Sequence, residues 1–285
     1  MNDPKHIAIR VLTEVDLDAA DAIMIPAYGV PRSRKRDLRR YLALQPDGWL
    51  LAQLDGQPAG LGGAIDYGPF AYIGLMAVLP SLQRRGIASA IMDRLLAWIA
   101  ARGCPTVLLD SSPAGERLYE KLGFVDDDTV IQYVRDDCAA RPRPSELVGS
   151  LAEADLAALD PFDTLIFGAS RAAVFAALHA EYPDRAFVAR DRDGALDGYL
   201  FAQPQTIGPW AARGSAAAEA LLGAALALDF EGAPRVLVPG ANAHAAGLLL
   251  GYGFSPQRAL RHMRHGSAVA ARRDLIYGQT SYAIG

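Results

Sequence analysis

The sequence predicts an α/β fold in two similar halves, each with a mixed β-sheet flanked by helices. Its 285 residues are enough for about two domains. In each half, short apolar strands joined by an Asp-Gly turn are followed by a long helix, a further strand and a second helix. Hydrophobic residues make up 51% of the chain and charged residues 21%, which is typical of a globular protein.

The first half alternates between strand and helix signals. Thr13 is a candidate helix cap, and Asp55-Gly56 is a typical hairpin turn. The sequence predicts strands over residues 6–12, 49–54, 57–66, 72–78, 106–110 and 131–135, and helices over 18–27, 34–44, from 87 to the stop signal at Gly103, and around Tyr119. The last of these strands is expected to close the sheet of this half.

Residues 78–89 join a strand end to a helix start and are the most informative segment of the chain. Apolar residues from Ile87 to Ile99 recur at helical spacing. The first turn of such a helix has free N–H groups and the positive end of the helix dipole. Gly86 and Ala88 let a ligand approach the backbone, and the Arg84-Arg85 pair suits phosphate oxygens. The segment predicts a pyrophosphate-sized anion site, and the alternative is a solvated surface turn.

A second segment lies one helix and one strand downstream. Residues 118–124 read L-Y-E-K-L-G-F, and residues 83–88 read Q-R-R-G-I-A. In this order and spacing the two segments resemble the signature of the GNAT N-acetyltransferase superfamily, with Ala88 in place of the commoner final glycine. The resemblance covers about residues 7 to 135. It implies an α/β (α+β) fold with a largely antiparallel sheet, and acetyl-CoA as cosubstrate.

The resemblance also implies how acetyl-CoA is held. The backbone of Met76, Ala77 and Val78 pairs with the pantetheine arm, and the Val78 N–H polarises the thioester carbonyl. The alternative is that these three are ordinary buried strand residues. The pyrophosphate is assigned to the loop and first helical turn, namely Gln83, Arg84, Arg85, Gly86, Ile87, Ala88 and Ser89.

Tyr119 is the main catalytic candidate that the resemblance provides. The family places a tyrosine here beside the CoA sulfur, where it protonates the leaving thiolate, and a phenol is still protonated at neutral pH. The alternative is a core tyrosine packed under Phe124. The family often has an asparagine seven residues earlier that contacts CoA. This chain has Ser112 there, whose hydroxyl can still form a hydrogen bond.

The general base is less well defined by the sequence. Asp66 and Asp110 lie at predicted strand ends near the expected acceptor position. Each has a structural alternative, because Asp66 could belong to the turn that follows it and Asp110 could cap a helix that begins near Ser112. None of the histidines lies in a sequence pattern typical of a catalytic triad. His262 and His265 are expected on a final strand, in structural roles rather than as metal ligands.

The second half repeats the order of elements but lacks the chemistry. Its predicted elements are helices over 155–159, 215–228 and 242–251, strands over 187–190, 198–202, 207–210 and 235–239, and an alanine-rich helical segment over 211–227. The loop at 209–215 has no Q-R-R-G-x-A motif, and Leu249 stands at the tyrosine position. With a linker at 138–144, the sequence predicts a catalytic domain over 1–137 and a divergent GNAT-like domain over 145–285. The divergent domain is expected to be structural or to shape the acceptor site.

Charge and cysteine content limit the partners. The net charge of −4 gives no general attraction to nucleic acid or to an anionic membrane. The basic run from Arg32 to Arg40 is interpreted as a solvated helix face, and the alternative is a rim that attracts an acidic acceptor or the CoA phosphates. Cys104 and Cys138 show no metal or disulfide spacing and are expected to be reduced thiols in the cytoplasm. No metal, signal segment or membrane span is expected, and the sequence does not fix the oligomeric state.

Together these features predict an acetyl-CoA-dependent N-acetyltransferase that acts by direct attack of a primary amine, most simply the amine of a small molecule. Two alternatives remain at this point. One is a non-catalytic acyl-CoA-binding regulatory module, and the other is an enzyme that acetylates proteins. The intact motif around Tyr119 favours an enzyme.

Overall fold

The computed structural model describes residues 6–30, 32–136, 145 and 147–285. The chain forms two compact units. The first comprises Met1–Leu109 with Ile284, and the second comprises Asp110–Ala283 with Gly285. The predicted linker at 138–144, with Cys138, lies outside the described residues, so the predicted domain limits of 1–137 and 145–285 remain predictions.

The first unit is a sheet whose strands follow the chain. Its elements are β1 (Ile7–Val11), α1 (Leu17–Tyr28), α2 (Lys35–Leu44), β2 (Trp49–Leu54), β3 (Gln57–Asp66), β4 (Ala71–Val78), α3 (Ile87–Ala101) and β5 (Thr106–Ser111), whose last two residues belong to the second unit. The described strands lie in the order β1-β2-β3-β4-β5, where β4 and β5 pair in parallel and the other neighbours are antiparallel. The predicted strands and helices of this unit are confirmed to within a few residues.

Local chemistry explains the hairpin and the core of the first unit. Asp55 and Gly56 both have positive φ, of 51° and 79°, as a tight hairpin turn requires. Trp49 is fully buried, stacks on Tyr41 at 5.1 Å and donates its indole N–H to the Tyr41 carbonyl at 2.8 Å. A Cβ on Gly63 would lie 2.1 Å from the Trp49 ring, so this glycine makes room for the indole.

The second unit contains more of the described strands than the first. Its elements are α4 (Glu116–Lys121), β6 (Val125–Arg135), β7 (Val148–Ser150), α5 (Leu156–Phe167), α6 (Ala172–Glu181), β8 (Ala186–Arg190), β9 (Leu196–Ala202), β10 (Thr206–Ala212), α7 (Ser215–Leu226), β11 (Arg235–Pro239), α8 (Ala243–Gly251), β12 (Phe254–Gly266) and β13 (Ile276–Gly278). The strands lie in the order β12-β6-β11-β10-β9-β8-β7, with β13 beside β10. Among the described strand pairs of this unit, β10 and β11 are parallel and the others are antiparallel.

Both units begin with the same capped turn. In the first, the Asp16 carboxylate accepts from the Thr13 backbone N–H at 2.9 Å, and in the second the Asp155 carboxylate accepts from the Ala152 N–H at 2.9 Å. The helix that follows ends at a left-handed glycine in each unit, Gly29 for α1 and a glycine after Phe167 for α5. The predicted repetition of elements and the α/β fold class with largely antiparallel sheets are therefore confirmed.

Strand β6 has a different place from the one predicted. It was expected to close the sheet of the first half, but in the second unit it lies between β11 and β12, with Gln132 opposite Leu237 on one edge and Arg258 on the other. All 11 residues of β6 belong to the part of the chain before the predicted linker. Hydrogen bonds therefore join that part of the chain to strands that follow the linker.

Several local predictions need correction. The helix predicted at 155–159 runs to Phe167, and α6 was not predicted. The alanine-rich segment is not one helix, because Ala211 and Ala212 belong to β10 and α7 begins at Ser215. The basic run is not wholly solvated, because Arg40 is buried. The strand that carries His262 and His265 is not the last, since β13 follows it.

Candidate active site

Strand β4 is irregular where the resemblance assigns the pantetheine arm. Its pairing with β3 places Gly63 opposite Gly74 and Leu61 opposite Ala77, which leaves two β4 residues opposite a single β3 residue. One of the two, Leu75, has a φ of 55°, which is uncommon for a residue with a side chain. This is a β-bulge, a feature that bends a strand and often lies beside an active site.

The parallel pairing of β4 with β5 is short. It covers three residue pairs, from Ala71 with Val107 to Ile73 with Leu109. Beyond this point β4 continues to pair with β3, through Ala77 and Val78. The segment that contains Met76, Ala77 and Val78 therefore follows the bulge and lies past the end of the β4–β5 ladder.

Two glycines on β3 allow this segment to lie close to its neighbours. A Cβ on Gly62 would lie 2.3 Å from the Met76 sulfur, and one on Gly60 would lie 3.0 Å from both the Ala77 carbonyl oxygen and an Ile87 methyl group. Ile87 is the first residue of α3. Small residues on β3 thus bring the end of β4 and the start of α3 together.

The start of α3 has the features of an anion site. Gly86 caps the helix in the left-handed conformation, with a φ of 83°. The first hydrogen bond runs from the Ala90 N–H to the Gly86 carbonyl at 3.0 Å, so the N–H groups of Ile87, Ala88 and Ser89 have no acceptor inside the helix. They therefore form a set of donors at the positive end of the helix dipole.

The surroundings of this helix start are open and positively charged. Gln83, Arg84, Arg85 and Gly86 are all exposed. A Cβ on Gly86 would meet only an Ile7 methyl group, at 4.0 Å. The backbone at Gly86 can therefore be approached closely, and two guanidinium groups are next to it in the chain.

Tyr119 lies in the second unit, on α4, in a packed setting. It is 6% exposed and meets Phe124 edge to face, with ring centroids 5.9 Å apart. A Cβ on Gly115 would lie 2.6 Å from the Tyr119 ring, so a glycine is needed there. Burial raises the pKa of Tyr119 to about 12, because the phenolate would be poorly solvated. No hydrogen bond to its hydroxyl is formed within the described ranges.

The other residues assigned to the site have structural partners. Ser112 is exposed, and its carbonyl accepts from the Gly115 N–H at 2.8 Å, which shapes the turn before α4. The Asp66 carboxylate accepts from the Gly68 N–H at 2.8 Å, as the turn alternative predicted. These contacts leave the roles of Ser112 and Asp66 in acetyl transfer as predictions.

Asp110 has a partner that sequence reasoning missed. Its carboxylate lies 2.8 Å from Nδ1 of His262, and the two side chains are 0% and 1% exposed. No partner was predicted for His262, and the structure pairs it with this carboxylate. The helix-cap alternative for Asp110 was also wrong, because Asp110 lies within β5 and Gly115 precedes α4. No local signal links two residues that are 152 positions apart.

Two family models match this chain. Residues 17–124 match the model of the acetyltransferase (GNAT) family, and residues 161–278 match a second acetyltransferase (GNAT) domain model. An acetyltransferase of Sodalis glossinidius is 35% identical over 100 residues, which cover 33% of this chain and 69% of that protein. The chain belongs to the GNAT acetyltransferase family. Since both halves match, this acyltransferase has tandem GNAT domains.

Two further relatives extend the comparison. A candidate acetyltransferase from Pyrococcus horikoshii, known as a crystal structure, is 31% identical with a TM-score of 0.87, over 98% of this GNAT protein and 96% of that chain. The chloroplastic serotonin N-acetyltransferase 2 of Oryza sativa is 30% identical over 127 residues, which cover 43% of this chain and 63% of that protein. The likeness to the Pyrococcus protein thus spans both halves.

Within the described ranges of this acetyltransferase, no group of three or more His, Cys, Asp or Glu side chains is arranged to hold a metal ion. None of the described helices combines the length and the apolar character needed to cross a bilayer. Cys104 is a half-buried free thiol whose pKa is raised by burial.

Proposed function

We propose that this GNAT protein transfers the acetyl group of acetyl-CoA to a primary amine. The observation that carries the proposal is the start of α3, where three N–H groups without helical acceptors follow the left-handed Gly86. A pyrophosphate suits this arrangement because its oxygens accept several hydrogen bonds and its charge favours the positive end of the dipole. Exposed Arg84 and Arg85 add charge of the right sign.

The bulged end of β4 is the part of the chain that suits the pantetheine arm. Peptide-like groups of pantetheine can pair with strand backbone as a neighbouring strand does. Met76, Ala77 and Val78 follow the bulge, past the end of the β4–β5 ladder. The proposal assigns them this pairing, with the Val78 N–H donating to the thioester oxygen as negative charge develops on it.

The chemistry is a direct attack without a covalent enzyme intermediate. The amine nitrogen forms a bond to the acetyl carbon, the C–S bond breaks, and the CoA sulfur leaves with the electron pair of that bond. The product nitrogen must lose a proton and the sulfur must gain one. The proposal assigns Tyr119 to the sulfur and Asp66 or Asp110 to the nitrogen.

The raised pKa of Tyr119 refines its role. With a pKa of about 12, the phenol stays protonated throughout the physiological range. A free thiol, for which cysteine at about 8.5 is the guide, is a stronger acid by about three pKa units. Full transfer of the phenol proton to the thiolate would therefore be uphill. Tyr119 acts most effectively as a hydrogen-bond donor that stabilises the leaving sulfur as its charge develops.

The acceptor is proposed to be a small molecule with a primary amine. The rice relative is named for the acetylation of serotonin, a small primary amine, which supports this class of acceptor without identifying the compound. An alkylamine with a pKa of about 10.4 arrives protonated at neutral pH, so a base is needed. In this role Asp110 would act as a pair with His262, since its carboxylate lies 2.8 Å from Nδ1 of that ring.

The test combines binding and turnover on the whole protein. Titration calorimetry measures the affinity for acetyl-CoA, and a thiol reagent measures CoA release in the presence of a panel of small amines and lysine-containing peptides. We expect binding, and amine-dependent thiol release with small amines. Binding without thiol release from any amine would favour the regulatory module, and release with peptides alone would favour a protein-acetylating enzyme. Absence of binding would refute the proposal.

A further inference from the structure

The second unit repeats the short parallel strand pair of the first, and then fills the space beyond it. Strands β10 and β11 pair in parallel over two residue pairs, Thr206 with Arg235 and Ile207 with Val236. In the first unit, the corresponding β4–β5 ladder ends after three pairs, at Ile73. There the proposed function places the pantetheine arm.

In the second unit β13 takes that position. Trp210 and Ala211 of β10 lie opposite Gly278 and Ile276 of β13, in antiparallel pairing. On the other side, the N–H of the residue after β13, Gln279, donates to the Leu237 carbonyl of β11 at 2.8 Å. The chain's own backbone therefore bridges β10 and β11 where their direct ladder has ended.

Buried polar side chains fix this segment at several points. Asn242 donates to the Ile276 carbonyl at 3.0 Å while its side-chain oxygen caps α8 by accepting from the Ala245 N–H. Gln203 donates to the Thr280 carbonyl at 3.1 Å. These side chains are almost completely buried, and an amide left without partners there would cost about 1–3 kcal/mol. They therefore specify the position of β13 as well as stabilising it.

A buried ion pair continues the same network. Arg171 donates to the Thr280 hydroxyl at 3.2 Å and to both carboxylate oxygens of Asp163 at 2.8 Å, with side chains that are 1% and 0% exposed. The Tyr199 hydroxyl donates to the same carboxylate. Buried charges persist only when they are paired and hydrogen-bonded. The Thr280 hydroxyl, in the segment after β13, accepts from the second amino group of the same guanidinium and so joins this segment to the buried pair.

Packing at Gly278 leaves no room for another occupant. A Cβ there would lie 2.7 Å from the Ile207 carbonyl oxygen and 3.2 Å from a Val236 methyl group, so the backbone of β13 sits directly against both strands. The Tyr277 ring lies 5.0 Å from the ring of Trp210. The segment is thus held by backbone pairing, side-chain hydrogen bonds and close packing together.

The neighbouring positions have also lost the features of a cosubstrate site. Gly214, which caps α7, has an extended backbone with a φ of −126°, unlike the left-handed Gly86. The guanidinium of Arg213 lies over the Phe162 ring at 4.9 Å. At the position of the catalytic tyrosine, Leu249 is fully buried.

We infer that β13 is a built-in occupant of the second unit's cosubstrate slot, so that the chain holds a single acetyl-CoA site. The strand performs the bridging role that the proposed function gives to the pantetheine arm in the first unit, and the inference rests on that proposal for the comparison. The second unit is therefore a permanently closed GNAT domain that neither senses nor uses acyl-CoA.

Hydrogen exchange of the full chain, read by mass spectrometry with and without acetyl-CoA, tests this directly. We expect peptides that cover 276–280 and 206–212 to be strongly protected in both states, with no change on adding acetyl-CoA. Peptides that cover 74–79 should exchange more slowly with acetyl-CoA. Calorimetry should give one site per chain. Fast exchange at 276–280 in the free protein, or a response at 206–212 together with a second binding event, would overturn the inference.

The two proposals fail in different ways. If acetyl-CoA leaves 74–79 unchanged and no heat of binding is measured, the proposed function is wrong. Continued protection of 276–280 would still support the occupancy of the second slot by β13.

A matched pair of glycine variants tests the packing. Gly278→Ala should speed exchange at 276–280 by about tenfold or more, because the added methyl group meets a backbone carbonyl. Gly149→Ala, on β7 of the same unit with nothing within 4 Å of its Cβ, should behave as wild type. If Gly278→Ala fails to fold, Asn242→Asp keeps the helix cap, removes the donor to Ile276 and should give the same acceleration. Wild-type exchange at 276–280 in Gly278→Ala, or in Asn242→Asp if that variant has to replace it, would overturn the inference.

Discussion

At residue scale, Gly86 meets two requirements at one position. Its φ of 83° favours glycine, and the open space around it lets a ligand approach the backbone. The same helix ends near Gly103, which also has a positive φ, of 72°, and nothing within 4 Å of its Cβ. Both positions have a positive φ, which disfavours a residue with a side chain, but only Gly86 is assigned to a ligand.

This pair gives the first prediction. Gly86→Glu should weaken acetyl-CoA binding by about 100-fold or more, because a carboxylate beside a pyrophosphate costs several kcal/mol. Gly103→Glu carries the same backbone strain and added charge and should bind acetyl-CoA as wild type does. Calorimetry on both folded variants makes the comparison. Equal affinities in the two would remove α3 from the binding site.

Tyr119 gives the second prediction. Tyr119→Phe removes one hydroxyl and should lower kcat by ~10²-fold with little change in acetyl-CoA affinity. Since the pKa of Tyr119 is about 12, the wild-type rate should show no loss between pH 7 and 10 that arises from this group. Tyr133→Phe, another buried tyrosine of the second unit, is the control and should leave kcat unchanged. A Tyr119→Phe variant with wild-type kcat would assign the residue to packing.

At element scale, the capped turn before α1 shows how a helix start depends on charge. The Arg10 guanidinium donates to both oxygens of Asp16, at 2.6 and 2.7 Å, and lowers the pKa of that carboxyl from 3.8 to about 2. A lowered pKa means that the ionised form stabilises the folded state. This contribution is complete above about pH 4 and is lost as the pH falls towards 2.

The third prediction follows from the lowered pKa of Asp16. Asp16→Asn should lower the free energy of unfolding by about 1–2 kcal/mol at pH 7, because the amide loses the charged pair but can still accept from Thr13. The difference from wild type should shrink as the pH is lowered from 4 to 2. Urea unfolding across this range measures it. A difference that stays constant down to pH 2 would show that ionisation of Asp16 does not contribute to the stability of the folded state.

How far the sequence could predict these elements depends on where their signals lie. Hairpin residues such as Asp55-Gly56, strand alternation and the Gly103 stop are local, and the elements around them were correctly placed. Strand β13 has three residues and is defined by its pairing with β10, so no local sequence pattern predicts it. The Asp110–His262 contact likewise needs the fold to bring its partners together.

At the scale of the whole molecule, β6 shapes how the chain can be divided. Around Gln132, one edge of β6 pairs with β11 and the other edge pairs with β12. A chain that ends after β6 would leave both edges of an 11-residue strand unpaired. Unpaired edges are templates for aggregation.

The fourth prediction concerns such a division. A shortened chain that ends at Asp136 should be mostly insoluble, whereas a full chain cut at a protease site placed within 138–144 should keep both pieces together and retain activity. The reason is that β6 keeps both partner strands in the cut protein. Gel filtration after cleavage and an acetylation assay provide the measurement. Separation of the pieces in native buffer would contradict it.

The proposed role of β13 as an occupant of the second slot has a consequence for the response to acetyl-CoA. An occupant on the same chain competes at an effective concentration of about millimolar or higher, and it cannot diffuse away. If acetyl-CoA binds as proposed, we therefore expect its saturation curve to be a simple hyperbola with a Hill coefficient of one. On this proposal, a chain with two GNAT domains behaves towards acetyl-CoA as a single-site enzyme.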